Sequence, residues 1–286
     1  MNDLLDEIYQ YLDGAQRYQR YIAALCPFHS DSRPSFFVYA DSYYCAACNQ
    51  RGKTKNLLDD LKKKQGTFIA KKQKDFHSPW SKWDTIYGDL DSTIRKAHLN
   101  LLDHNKTAYL TKRGIDIVTI KHLKIGWLDD WITFPMYDRN NELIGATARA
   151  GETNKSTSKY CNYPGMSPDI LYVPDWEMIK YSSKLFLVYG ILDTASLYQL
   201  GYASASTTTG KRVDPSAFDS IRKTIWIIPD DGEEVDAVWL SARLGWRGKV
   251  FKMVWPDGCK DTNNLLVKHK EYLVSILEGT YGNNTP

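Results

Sequence analysis

The chain has 286 residues, 43% hydrophobic and 25% charged, with a formal net charge of +3, which is room for one large domain and a smaller one. No apolar run approaches the roughly 20 residues that cross a bilayer. The acidic start Met1–Tyr11 lacks the positive and apolar segments of a secretory signal, so a cytoplasmic protein with no membrane contact is expected. Charge is unevenly spread: lysines crowd positions 53 to 74, and acids gather at Asp230, Asp231, Glu233, Glu234 and Asp236. A lysine run suits phosphates or a solvated segment, and an acidic cluster suits a metal ion or a helix start.

Leu4, Leu5, Ile8, Tyr9 and Leu12 recur at helical spacing until Asp13-Gly14 ends the pattern. Tyr18–Ala24 and Ser35–Tyr44 are rich in aromatic and β-branched residues, with Asp41-Ser42 as a break, and predict a small antiparallel sheet. This first module is expected to span residues 1–60. Residues 61–82 hold a lysine-rich stretch with Gly66 and Pro79 and no sustained apolar period, and read as a linker. Helical spacing returns from Trp83 to Leu102. Strand-like runs follow at Trp131–Met136 and Leu143–Thr147, around the turn residues Asp138–Asn141. Beyond Ser182 the pattern alternates: strand Leu185–Val188, helix Asp193–Leu200, strand Ile225–Ile228, helix Val235–Leu244, strand Val250–Val254. That alternation implies a mostly parallel α/β sheet, whose strand carboxyl ends carry ligands. Tyr189-Gly190, Pro229-Asp230-Asp231 and Trp255-Pro256-Asp257 fall at such ends.

Five cysteines argue against a complete disulfide framework, and three of them cluster at 26, 45 and 48. Cys26 and His29, then after fifteen intervening residues Cys45 and Cys48, form two ligand pairs able to close a tetrahedron about zinc. Four protein ligands leave no open position, so the site is expected to be structural.

Beyond the spacing, Cys26-Pro27-Phe28-His29 followed by Arg33-Pro34-Ser35-Phe36 and the second ligand pair resembles the zinc-binding domain of DnaG-type DNA primases. In that family the ribbon contacts single-stranded template. Phe36, Phe37, Tyr39, Tyr43 and Tyr44, with Arg33, Lys53 and Lys55, have the chemistry for stacking beside cations, and a core role is equally open to each aromatic. Tyr109-Leu110-Thr111-Lys112-Arg113-Gly114-Ile115 resembles the segment that precedes the family's polymerase core. In order after it come Ile125-Gly126, Thr133–Met136, Ile144-Gly145 with Arg149, and Lys159–Asn162. The resemblance assigns Arg149, Lys159 and Asn162 to a basic surface for template, primer and incoming nucleotide.

The final stretch resembles a TOPRIM domain through Gly190, Asp193, Gly201, Gly210-Lys211, the Ile225–Ile228 strand and Cys259-Lys260-Asp261-Thr262-Asn263. Lys211 and Lys260 are candidate phosphate contacts. Family carboxylates hold Mg²⁺ or Mn²⁺, which implies that role for Asp193, Asp230, Asp231 and Glu233, with Asp261 more distant. Two departures stand out. Tyr189 occupies the family's glutamate position, and the aspartate pair reads Asp230-Asp231-Gly232-Glu233 in either of two registers.

The resemblance implies an α+β zinc ribbon (1–60), the linker (61–82), an N-terminal subdomain of the RNA polymerase domain (83–180) and a TOPRIM subdomain (181–286). The expected activity is synthesis of short RNA primers from ribonucleoside triphosphates on single-stranded DNA, with zinc structural and Mg²⁺ or Mn²⁺ catalytic. After Asp261 only residues 262–286 follow, which suggests a compact phage or mobile-element version that meets its replicative helicase in trans. Two other readings are a catalytically altered TOPRIM protein serving as a nucleic-acid-binding or loading module, and a TOPRIM nuclease.

Overall fold

The structure, a computed structural model, describes residues 3–18, 20–28, 34–45, 50–64, 79–104, 106–154, 159–164, 166, 170–208 and 213–279. His29, Arg33, Cys48, Lys211 and the middle of the expected linker lie outside them. The chain divides into two compact units, Met1–Ser78 and Pro79–Pro286.

In the first unit, helix α1 (Asp3–Tyr9) precedes strands β1 (Gln16–Arg17), β2 (Tyr21–Ala24), β3 (Phe36–Tyr39), β4 (Ser42–Cys45) and β5 (Arg51–Lys53), and helix α2 (Thr54–Lys64) follows. The strands pair antiparallel in sequence order. Because side chains alternate faces along a strand, the aromatic run splits. Phe36, Val38, Tyr43 and Cys45 join Ile22 and Ala24 on the covered face, against Ile8 and against Leu57 and Leu61 of α2. Tyr21, Phe37, Tyr39 and Tyr44 fall on the other face, where Tyr21 meets Tyr39 with ring centroids 5.6 Å apart and Phe37 stacks on Tyr44 at 5.3 Å. Tyr43 lies opposite Gly52, and a Cβ there would come 2.8 Å from the Tyr43 hydroxyl, so the close approach requires glycine.

The second unit opens with helices α3 (Pro79–Tyr87), α4 (Leu90–Asp103), α5 (Ala108–Lys112) and α6 (Ile117–His122). Strands β6 (Gly126–Leu128), β7 (Trp131–Tyr137), β8 (Leu143–Ala150) and β9 (Tyr160–Asn162) then form an antiparallel sheet in sequence order. The expected linker therefore has helical ends: α2 runs to Lys64, and α3 starts at Pro79. Trp80 is fully buried and donates its indole N–H to Cys161 O at 2.9 Å, so it anchors α3 on β9. α3 buries Trp80 and Trp83, three residues apart, and an apolar period that short does not register.

A second sheet uses β10 (Leu171–Tyr172), β11 (Lys184–Val188), β12 (Ser204–Thr207), β13 (Thr224–Ile227) and β14 (Gly248–Val250), in the order β10-β12-β11-β13-β14. All but β10 run parallel to their neighbours. Helix α7 (Trp176–Tyr181) precedes β11, α8 (Ile191–Gln199) follows it, α9 (Glu234–Leu244) follows β13, and α10 (Thr262–Lys268) and α11 (Lys270–Leu277) close the unit. Two strand expectations need correction. β12, built from Ser204, Ala205, Ser206 and Thr207, is fully buried without a bulky apolar run and escaped the pattern. The last strand covers Gly248–Val250 rather than Val250–Val254. Ile227 pairs with Val250, and Phe251 still donates to Ile227 O. Pro229 follows shortly after in the neighbouring segment and has no N–H to extend a ladder.

β11 is central, and the chain leaves it for β12 on one side while β13 lies on the other. The carboxyl ends of β11 and β13 are thus the switch point where such sheets form a crevice.

Candidate active site

Ala24, Phe36 and Cys45 are in register across β2, β3 and β4, and Cys26 follows two residues after Ala24, so both cysteines lie at one end of the first unit's sheet. Both are buried. The Phe28 N–H points at Cys26 Sγ (3.4 Å), and Ser35 Oγ lies 3.2 Å from Cys45 Sγ. Two buried sulfurs with polar neighbours at one sheet end fit a thiolate metal site. The other two expected ligands, His29 and Cys48, are outside the described residues.

In the second unit, Asp193 sits in the first turn of α8, immediately beyond β11. Its carboxylate bends back over Gly190, where any Cβ would collide with Oδ2. Oδ1 accepts the Asn263 backbone N–H at 2.7 Å. Burial, then the fields of Asp261 and Asp230, push the Asp193 carboxyl up to about 8. Asp261, before α10, and Asp230, after β13, thus lie within electrostatic reach of Asp193. Asp231 is exposed, and its N–H donates to Lys260 O at 2.9 Å. Glu233 is partly buried beside Tyr189. Burial, then Asp236, Glu233 and Asp230, raise the Tyr189 phenol above its ordinary value, and its hydroxyl has no hydrogen-bond partner among the described residues.

Cations stand next to these acids. Arg149 on β8 is 7% exposed, with its guanidinium 4.9 Å from the Tyr109 ring centroid and 5.9 Å from that of Tyr160. Partial burial, then Arg149 and Arg113, lower the Lys159 ammonium below the usual lysine value, against the pull of Asp193 and Asp261. Partial burial opposes the Arg113 charge, but Tyr109, Asp261 and Asp193 outweigh it and raise its pKa. Arg149 and Lys159 thus lie within electrostatic reach of each other, and Arg113 joins them. Its position within the Tyr109–Ile115 segment marked it as part of a pattern but not as a site residue.

The other expected residues make different contacts. Asn162 accepts from Thr147 Oγ1 at 2.7 Å and reaches Thr208 O at 3.4 Å, which ties β9 to the chain after β12. Lys260 is exposed, and Lys211 lies outside the described residues. Among the described residues no three His, Cys, Asp or Glu side chains already converge closely enough to hold a metal ion, and no helix is long and apolar enough to cross a membrane.

Residues 1–76 match the CHC2 zinc finger family. The DNA primase of Buchnera aphidicola is 25% identical over a region covering 68% of this chain, which spans 45% of that relative's length. The zinc-binding and RNA polymerase domains of the Aquifex aeolicus primase superpose with a TM-score of 0.57 at 20% identity, covering 97% of this chain and 83% of that one. A DnaG primase catalytic domain bound to single-stranded DNA matches with a TM-score of 0.54 at 19% identity, over 68% of this chain and 81% of the other. The chain thus joins a segment that matches the CHC2 zinc finger family to a domain with the fold of the DnaG primase catalytic core.

Proposed function

We propose that this chain is a primase: it condenses ribonucleoside triphosphates into short RNA primers on a single-stranded DNA template. The observation that carries the reading is that Asn263 bonds both Arg113 and Asp193 just beyond the carboxyl end of β11, with Arg149 and Arg113 acting on Lys159 and with Asp261 and Asp230 acting on Asp193. Cations beside a set of acids suit a polyanionic substrate that arrives with a divalent metal.

Asp193 and Asp230, with Asp261, are the residues that would hold Mg²⁺ or Mn²⁺, since hard carboxylate oxygens match hard cations. Such a metal supplies charge stabilisation at the attacking and leaving oxygens of phosphoryl transfer. The chain's own part is to place charge. Arg149, braced between two tyrosine rings, presents a planar donor set suited to phosphate, and Lys159 adds a point charge. Arg113 completes the cationic side. Asp230 is the acid that acts on both Asp193 and Tyr189, which favours it over Asp231, with Glu233 flanking. In the first unit Cys26, His29, Cys45 and Cys48 would hold one structural zinc. The outward rings Phe37, Tyr39 and Tyr44 would offer stacking surfaces to template bases, near Lys53.

The test is labelled-ribonucleotide incorporation on random single-stranded DNA with Mg²⁺ or Mn²⁺. Wild type should extend primers. Asp193→Asn and Asp230→Asn should each lose about a hundredfold or more, the scale of several kcal/mol of lost charge stabilisation, while Asp231→Asn should keep most activity. Absence of incorporation by wild type under both metals would overturn the proposal.

A further inference from the structure

Asn263 is 1% exposed, and its polar groups all reach the two charged halves of the site or the helix between them. Its backbone N–H donates to Asp193 Oδ1 at 2.7 Å. Its Nδ2 donates to Arg113 O at 2.7 Å and to Ser196 Oγ at 2.9 Å, and its Oδ1 accepts from Arg113 Nη1 at 3.2 Å. One residue therefore grips Arg113 at both main chain and guanidinium, across 150 positions of sequence, and holds Asp193 across 70.

Resting on the polyanion-binding reading above, we propose that Asn263 is the positioning residue that fixes Arg113 relative to Asp193. The chemistry demands an amide. Arg113 caps the carboxyl end of α5, so its carbonyl needs a donor, while its guanidinium needs an acceptor. Asparagine offers both from a single planar group. A hydrocarbon of the same size would leave the partly buried Arg113 carbonyl without its donor, take one of the two bonds from the Ser196 hydroxyl and release the guanidinium to other rotamers. Ser196 Oγ in turn donates to Leu192 O at 2.8 Å, so the amide is registered against the same helix that carries Asp193. Arg113 then meets a phosphate without first being ordered, which lowers the cost of binding.

A double-mutant cycle tests this, read as equilibrium affinity for a fluorescent ribonucleoside triphosphate without template. Arg113→Ala and Asn263→Leu should each weaken binding by about tenfold, the size of a lost hydrogen bond to a charged group. The double variant should be no weaker than Arg113→Ala alone. Asn263→Asp, which keeps an acceptor for the guanidinium, should bind better than Asn263→Leu. Should the leucine variant not fold, Asn263→Ser, too short to reach Arg113, takes its place in the cycle. Additive losses, unchanged affinity in the Asn263 variants, or no triphosphate binding by wild type would each overturn the proposal. A wild type that binds triphosphate but makes no primers would refute primer synthesis and leave the cycle readable.

Discussion

The two units solve the same problem, placing polar chemistry against a packed sheet, by opposite means. In the first, the chemistry is local: Cys26 and Cys45 reach one sheet end because neighbouring strands of a meander bring their ends together. In the second, Asp193, Asp230 and Asp261 come from segments that follow strands of the parallel sheet, which gathers such loops on one edge, while Arg113 ends α5 and Arg149 and Lys159 belong to β8 and the approach to β9 in the other sheet. Local assembly is legible in spacing but leaves little core, so a metal must contribute. Distributed assembly rests on an extensive core, in which Leu101, Ile132, Phe134, Leu187 and Leu265 are among the fully buried side chains.

Replacing Cys45 with Ser should produce the largest effect. Structural zinc supplies about 10–16 kcal/mol of apparent binding energy in small ribbons, so the variant should lose its metal and unfold the first unit, while the second keeps its own thermal transition. Elemental analysis and a two-transition melt check this, and one merged transition that disappears in the variant would break the division. The reciprocal change, Trp80→Ala, should lower only the second unit's transition, by about 3–5 kcal/mol for a buried ring and its cavity. Circular dichroism melts with zinc retained would show it.

The acids sharpen the comparison through pH. Asp193 in the folded protein is raised to about 8 from an ordinary 3.8. Between these values the native state holds a proton that the unfolded chain has released, so metal-free stability should fall as pH climbs from about 4 to about 8. Asp193→Asn should flatten that slope, seen in denaturant midpoints across pH, and the first unit's stability should not follow the same curve. The smallest effect concerns the cations. If Arg149 and Lys159 each neutralise a phosphate, replacing either with Ala should make the slope of log affinity against log salt shallower by about 0.7 on single strands. Titration of labelled single-stranded DNA over a salt series measures it.

Much of the scaffold could be read before any coordinates. β7, β11 and β13 announce themselves as apolar runs, and the spacing of Cys26, His29, Cys45 and Cys48 points to a ribbon. β12 was missed because small buried residues such as Ser204 and Ser206 carry no hydrophobic signal, and Trp80 because two rings, Trp80 and Trp83, are too few to set a period. In the candidate site, Arg149, Lys159, Asp193 and Asp230 were identified from family resemblance, but Arg113 and Asn263 were not given roles, since their bond spans 150 residues.

Residue type, order and local period are properties of the chain alone, and they determined which elements form, which residues can bind zinc and where the acids and cations lie along it. Tertiary structure decided the rest because burial and through-space fields have no sequence period. Only the fold tells Phe36, in the core, from Phe37, on the outer face. It separates Asp230, which acts on Asp193, from exposed Asp231. By removing Asp193 from water beside two other carboxylates, it turns an ordinary aspartate into a group that holds its proton near neutrality.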